Sequence, residues 1–267
     1  MREWCRLGAY ALGNLGKVRS MNTGDTRSTS EAARSWERFA ELDPYLYILT
    51  TMKRSDPREF WLSGEQTVRA ELLPIVQSNA VRPQIGLEVG SGIGRLTFPL
   101  ARHFQTVVGV DVARGMVERA TSLARHKGIQ NVSFSSITGP EDFLRHTGNL
   151  AGTCNFIYSL LVFQHIPDLS VIEGYLRVIR ILLHEQGLAY LQFDTRPKNL
   201  AYRLKTSLPD SLLPRFWRRG IRRIRRSPEE IETSIRSAGL KVVAQLTPRS
   251  AYHRYLLRRP PCPRDTK

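Results

Sequence analysis

Residues 85–95 read Ile-Gly-Leu-Glu-Val-Gly-Ser-Gly-Ile-Gly-Arg, an apolar run passing directly into a turn with glycine at every second position. Such a segment reads as a buried strand, then a tight turn, then a helix. Gly90, Gly92 and Gly94 suit the turn because glycine tolerates φ > 0 and has no Cβ to hold a ligand away from the backbone. A second apolar run, Val107-Val-Gly-Val-Asp111, ends on a carboxylate seventeen residues after Gly94. A carboxylate at the end of that strand can accept both hydroxyls of a ribose. Together the two features outline a nucleoside-sized crevice at the carboxyl edge of a parallel sheet.

The rest of the chain repeats the alternation. Strands are expected at 84–89, 106–111, 132–136, 154–160 and 187–194, with helices near 96–104, 115–127, 141–146 and 170–184. Strand–helix alternation of this kind argues for an α/β fold with helices on both faces of a parallel sheet. Ser227-Pro-Glu-Glu opens a further helix, with Ser as N-cap, Pro at the first position and acids in the first turn. Two short strands, 240–246 and 252–257, are close enough to pair antiparallel and bring the sheet to seven strands. Ahead of the sheet, two helices at 31–49 and 63–77, the second capped by Ser63, predict a helical cap over 31–80. Residues 1–30 are expected to be a disordered extension. The main domain spans 81–258 with an irregular Pro- and Arg-rich insertion at 195–226, and 259–267 form a tail.

The glycine spacing separates two kinds of nucleotide site. A dinucleotide fingerprint is G-x-G-x-x-G, with the helix N-terminus open to a pyrophosphate. Here the third glycine comes one residue early and Glu88 precedes the first, which repels a pyrophosphate and suits a cationic amino group. Leu87-Glu-Val-Gly-Ser-Gly-Ile-Gly94 resembles the first motif of the class I (Rossmann-like) S-adenosylmethionine-dependent methyltransferases. Gly109-Val-Asp111-Val-Ala-Arg-Gly-Met116 is similar to the second motif. The run from Asn155 to Asp168 resembles the fourth-strand motif, and Leu182 to Leu191 the turn into the fifth strand. The resemblance covers about residues 83–258 and implies the Rossmann-like methyltransferase fold with S-adenosyl-L-methionine as cofactor.

Carried over residue by residue, the resemblance implies that Gly90, Ser91, Gly92 and Gly94 approach the methionyl part, with Glu88 near its ammonium. Asp111 would hold the ribose, and Val112 and Met116 would wall the adenine. The family commonly has an Asp after the third strand, at the adenine edge; Thr138 stands there in this chain. Ser159, ending strand four, is expected to face cofactor and acceptor. His165, in Phe-Gln-His-Ile-Pro, is the candidate catalytic base, the competing role being to order its loop. Asp194, Tyr202 and His253 are weaker candidates. The aromatic residues Trp36, Tyr45, Tyr47, Phe60 and Trp61 either close over the site or pack the cap on the sheet. No metal site is expected.

Charge is the compositional anomaly: the formal net charge is +16. Residues 215–226 hold seven arginines and no acid, and Trp217, Ile221 and Ile224 would form one stripe if the segment were helical. The segment is either a solvated basic face or a site for an anionic partner: an acidic or phosphorylated small substrate, RNA or a phospholipid surface. Three well-separated cysteines give neither a disulfide framework nor a zinc spacing, which fits a reducing cytoplasm. No apolar run is long enough to span a bilayer. The function expected is methyl transfer to O or N of a small-molecule acceptor. The alternatives are an RNA methyltransferase using 215–226, and a non-catalytic Rossmann-like binding protein.

Overall fold

A computed structural model describes residues 26–49, 55–214, 222–246 and 252–260. Its sheet has seven strands in the order β3-β2-β1-β4-β5-β7-β6. They are β1 (Ile85–Val89), β2 (Thr106–Asp111), β3 (Val132–Ser136), β4 (Cys154–Ser159), β5 (Leu183–Asp194), β6 (Lys241–Leu246) and β7 (Tyr252–Arg258). β1 to β5 are mutually parallel, while β7 runs antiparallel to both β5 and β6. The strand order therefore reverses between β1 and β4, and α/β sheets bind ligands at such a reversal.

Successive residues of each strand feed opposite faces. Val108, Ile157 and Ala189 enter one core with Phe143, Ile172, Leu176 and Ile235. Val107, Phe156, Leu188 and Tyr190 enter the other with Leu72, Ile75 and Leu100. Central strands buried on both sides need apolar residues at every position, and β4 is buried throughout.

The helices are α1 (Thr26–Leu42), α2 (Pro44–Ile48), α3 (Pro57–Thr67), α4 (Leu73–Ser78), α5 (Thr97–Ala101), α6 (Arg114–His126), α7 (Pro140–Thr147), α8 (Leu169–Leu182), α9 (Leu200–Ser207) and α10 (Pro228–Ser237). Several boundaries differ from expectation for local reasons. α1 begins at Thr26, so residues 26–30 are helical; the remainder of the expected disordered extension, 1–25, lies outside the described residues. The first cap helix does not run through to Leu49. Pro44 interrupts it, and the Asp43 side chain accepts from Leu46 N at 3.1 Å to start α2. The second cap helix starts at Asp56-Pro57 rather than Ser63: the Asp56 carboxylate accepts from the amides of Arg58 and Glu59. Ser63 lies inside the helix, donating to Phe60 O at 2.6 Å.

Between α3 and α4 the helix widens into a π turn, Val68–Leu72. Pro74 follows immediately, and a widened turn relieves the clash of its ring with the preceding turn. β5 starts four residues earlier than expected, because Leu183 already pairs with Cys154. At α10 the expected capping box forms, with Ser227 Oγ accepting from Glu230 N and the Glu230 carboxylate from Ser227 N. Among the described residues no helix is long and apolar enough to cross a membrane.

Candidate active site

β1 runs into its turn with Gly90, Gly92 and Gly94 all in the left-handed region, at φ 78°, 53° and 91°. Space is as demanding as conformation at Gly90, where a Cβ would collide with the Val162 side chain of the loop after β4. The turn is pinned to the neighbouring strand: Gly90 N and Ser91 N both donate to Val110 O, at 2.7 and 3.1 Å. Asp111 completes the joint. Its two carboxylate oxygens accept from Gly92 N at 2.8 Å and Ala113 N at 2.9 Å. Burial holds the Asp111 carboxyl above its ordinary range, and the amide hydrogen bonds oppose that shift.

Glu88 lies beneath the turn, 4% exposed. It accepts from Thr97 Oγ1 at 2.5 Å and from the Tyr158 hydroxyl at 3.0 Å, both to Oε2. Burial pushes its carboxyl up to about 8, against the pull of those two donors and of the Arg95 guanidinium. Ser91 Oγ and Arg95 Nε are buried without a hydrogen-bond partner among the described residues. Buried polar atoms are normally satisfied, so an orphaned hydroxyl in a glycine turn marks a place where a ligand group fits.

All of this opens onto one cavity. The sheet contributes Glu88, Ser91, Asp111 and Val112, with Met116 from α6. The far wall carries Leu160, Leu161, Val162 and His165 after β4, together with Ile166 and Tyr175. Leu161 sits at φ 64°, an uncommon conformation for a branched apolar residue, in the segment lining the cavity. The cap closes the remaining side with Ala33, Trp36 and Ile48. Its docking is specific. Glu37 of α1 accepts from Gly115 N in the first turn of α6 at 2.8 Å, and Trp36 meets the His165 ring edge-on at 5.4 Å. A carboxylate at that helix start also opposes the positive end of the helix dipole.

Most of the cofactor-site residues named from sequence converge here, and three stand apart. Gly94 does not line the cavity; it turns the chain towards α5 against Phe98. Ser159 is buried in the sheet and donates to Val89 O at 2.8 Å, joining β4 to β1 rather than facing the cavity. Thr138 is exposed, its amide and hydroxyl both donating to Asp142, and Ile137 lines the cavity in its place. Sequence reasoning passed over Arg95 and Tyr175. Arg95 directly follows the last glycine, which was a usable signal. Tyr175 is recognisable only once α8 is known to turn that face inward; burial lifts its phenol above the ordinary range.

The Arg-rich segment also departs from expectation. Residues 215–221 lie outside the described residues, and 222–226 are not helical. Arg226 is 6% exposed and donates to Ile166 O and Pro167 O at 2.7 and 2.8 Å. Arg225 donates to Pro197 O and lies 4.5 Å over the Tyr202 ring. Ile224 N donates to Gln164 O at 2.7 Å. Arg226 and the Ile224 amide thus brace the loop carrying His165, and Arg225 braces the insertion itself. Asp194 is fully buried in a fork with Arg196, and His253 bonds Gln245; Asp194, Tyr202 and His253 are not among the cavity-lining residues.

Residues 87–187 match a family model described as a methyltransferase domain. The chain has a Rossmann-like methyltransferase fold. In sequence, the chain is 41% identical over 56 residues to a 23S rRNA (uracil(1939)-C(5))-methyltransferase of Marinomonas sp. (strain MWYL1), a match covering 21% of this chain and 13% of that one. In structure it resembles magnesium protoporphyrin IX methyltransferase from Synechocystis PCC 6803 with bound SAH, at TM-score 0.54 and 19% identity over 78% of this chain and 89% of that one. It also resembles an S-adenosylmethionine-dependent methyltransferase from Clostridium acetobutylicum ATCC 824, at TM-score 0.54 and 15% identity over 76% and 98%. At such identities the likeness is one of fold.

Proposed function

We propose that this methyltransferase uses S-adenosyl-L-methionine to methylate an oxygen or nitrogen of a small-molecule acceptor. The observation that carries the reading is the convergence on one cavity of a buried carboxylate (Glu88), an unpartnered hydroxyl (Ser91) and a ribose-type carboxylate (Asp111). A donor with an ammonium at one end and a nucleoside at the other matches those three groups in order. The donor, when bound, supplies a methyl group already activated on a sulfonium. The protein's task is then alignment and exclusion of water. Glu88, whose Oε2 is taken by Thr97 and Tyr158, would hold the ammonium with Oε1, and each Asp111 oxygen keeps a second lone pair for the ribose hydroxyls. Val112, Met116 and Ile137 would sandwich the base, and Trp36 with Ile48 would shut out solvent. His165 would take the acceptor's proton on its imidazole, which neighbours the Gln164 side-chain amide at 3.2 Å.

An RNA acceptor is the second reading, favoured by the match to a 23S rRNA methyltransferase. Attack on a pyrimidine ring needs a nucleophilic thiolate near the donor. Cys154 begins β4, at the end of the strand away from the cavity, and burial pushes its thiol up to about 12. The lining of the cavity supports a compact, largely apolar acceptor instead. We further place the protein in the cytoplasm, consistent with Cys154 being a free thiol.

Isothermal titration with S-adenosylmethionine, S-adenosylhomocysteine and NAD tests the cofactor; tight binding of NAD alone would refute it. Incubating cell extract with labelled donor and fractionating the products tests the acceptor. Label in small molecules is expected, and label confined to RNA would overturn the reading.

A further inference from the structure

The insertion after β5 carries a surface that the cavity does not use. Leu200, Leu204, Leu208 and Leu212 are 72%, 61%, 46% and 70% exposed and recur every fourth residue along and beyond α9. At about 100° per residue, Leu200 and Leu204 share one face of α9. The opposite face holds Tyr202 and Thr206, which are partly buried and tied back: Arg225 N donates to the Tyr202 hydroxyl, and Arg222 to Thr206 O. Arg203 and Lys205, both exposed, project on either side of the leucine face. In sequence, residues 195–226 contain eleven lysines and arginines and a single acid, Asp210.

We propose that α9 and the segment to Leu212 dock on an anionic phospholipid bilayer, with the leucines entering the headgroup–acyl boundary and the flanking cations meeting lipid phosphates. Apolar residues on one face, bordered by long cationic side chains, are what an interfacial helix requires. Charge complementarity selects the occupant. The exposed Arg203 and Lys205 beside the leucines select an anionic partner, and the exposed leucine row gains from a hydrocarbon boundary what it cannot gain from a phosphate backbone. The docking does not depend on which reaction the cavity performs. It is nonetheless joined to the cavity wall, since Arg225 stacks on Tyr202 while the adjacent Arg226 holds the carbonyls of Ile166 and Pro167.

Flotation of the full chain with phosphatidylcholine vesicles, with and without phosphatidylglycerol, tests the proposal. Binding is expected only with phosphatidylglycerol and should weaken as salt rises. Leu200→Ser with Leu204→Ser should reduce partitioning roughly tenfold per leucine, and Arg203→Gln with Lys205→Gln about fivefold per charge. Titration with S-adenosylhomocysteine reports separately on the cavity and should be unchanged in both variants. The charge pair keeps the test open if the serine pair misfolds. Absence of flotation with the anionic vesicles, or flotation equal in wild type and both variants, would overturn the proposal. So would a gel shift with a single-stranded RNA oligonucleotide in a chain that ignores vesicles. A dimer by sedimentation velocity that the serine pair dissolves would assign the face to a second copy and overturn it as well.

Discussion

Glu88 makes the empty protein pay for its donor site in a way that pH exposes. Its carboxyl is raised from an ordinary 4.5 to about 8, with burial the dominant cause. Between those values the folded chain keeps a proton that the unfolded chain has lost. Stability is therefore fully present below about 4.5 and declines as pH rises through 8, by about 1.4 kcal/mol per pH unit in the middle of the range. From pH 6 to pH 8, allowing for rounding near the folded value, the loss from this one group is about 2 kcal/mol. Glu88→Gln removes it while leaving an oxygen to accept from Thr97 and Tyr158. Urea melts of both proteins without donor, at pH 6, 7 and 8, isolate Glu88, because other titrating groups cancel in the difference. The variant should gain about 2 kcal/mol on wild type over that range, or roughly 4–8 °C in Tm.

Donor affinity should move the opposite way. If the ammonium needs an ionised Glu88, wild-type affinity for S-adenosylhomocysteine rises about fiftyfold from pH 6 to pH 8, following the ionised fraction. The Gln variant binds weakly and without that slope. Melts that stay parallel across the three pH values would refute the reasoning, since Glu88 would then carry no trapped proton.

Asp111→Ala removes the acceptor for Gly92 N and Ala113 N as well as for a ribose; titration should show donor affinity falling at least about tenfold, and unchanged affinity would displace the ribose from β2. Gly64→Ala sets a Cβ against the Arg95 carbonyl oxygen, a backbone atom that cannot swing away. It should cost about 1–3 kcal/mol and release the cap to limited proteolysis, and an unaltered Tm would show that α3 does not seat there. Arg226→Ala frees two loop carbonyls and should lower stability by about 2–4 kcal/mol in urea melts, with Arg226→Lys recovering only part. His165→Ala should slow label transfer by about 10²-fold or more at unchanged donor affinity if the imidazole is the base. A full-speed variant would leave it only the role of packing against Trp36.

What the sequence made legible was whatever chemistry writes locally. The glycine spacing, Asp111 at the end of its strand and the Ser227 capping box each rest on neighbours within a few residues, and each forms. The strand positions followed for the same reason, since β1, β2 and β4 need apolar residues on both faces. Less legible were side chains whose roles are decided by distant chain. Ser159 was expected at the cavity because it ends β4, yet its hydroxyl is taken by Val89 O, 70 residues away in sequence. The arginines at 222–226 read as a solvated face or an anionic-partner site because composition cannot reveal that Arg225 and Arg226 serve carbonyls of Pro197, Ile166 and Pro167. Guanidinium groups with several donors are the side chains best able to satisfy bare loop carbonyls, so a run of arginines beside an irregular, proline-rich insertion is as consistent with internal bracing as with an external partner. The leucines of α9 invert that lesson. Nothing in their local pattern distinguishes core from surface. Only the fold, which spends the Tyr202 face on Arg225 and leaves the other face uncovered, turns four ordinary leucines into a question about what they touch.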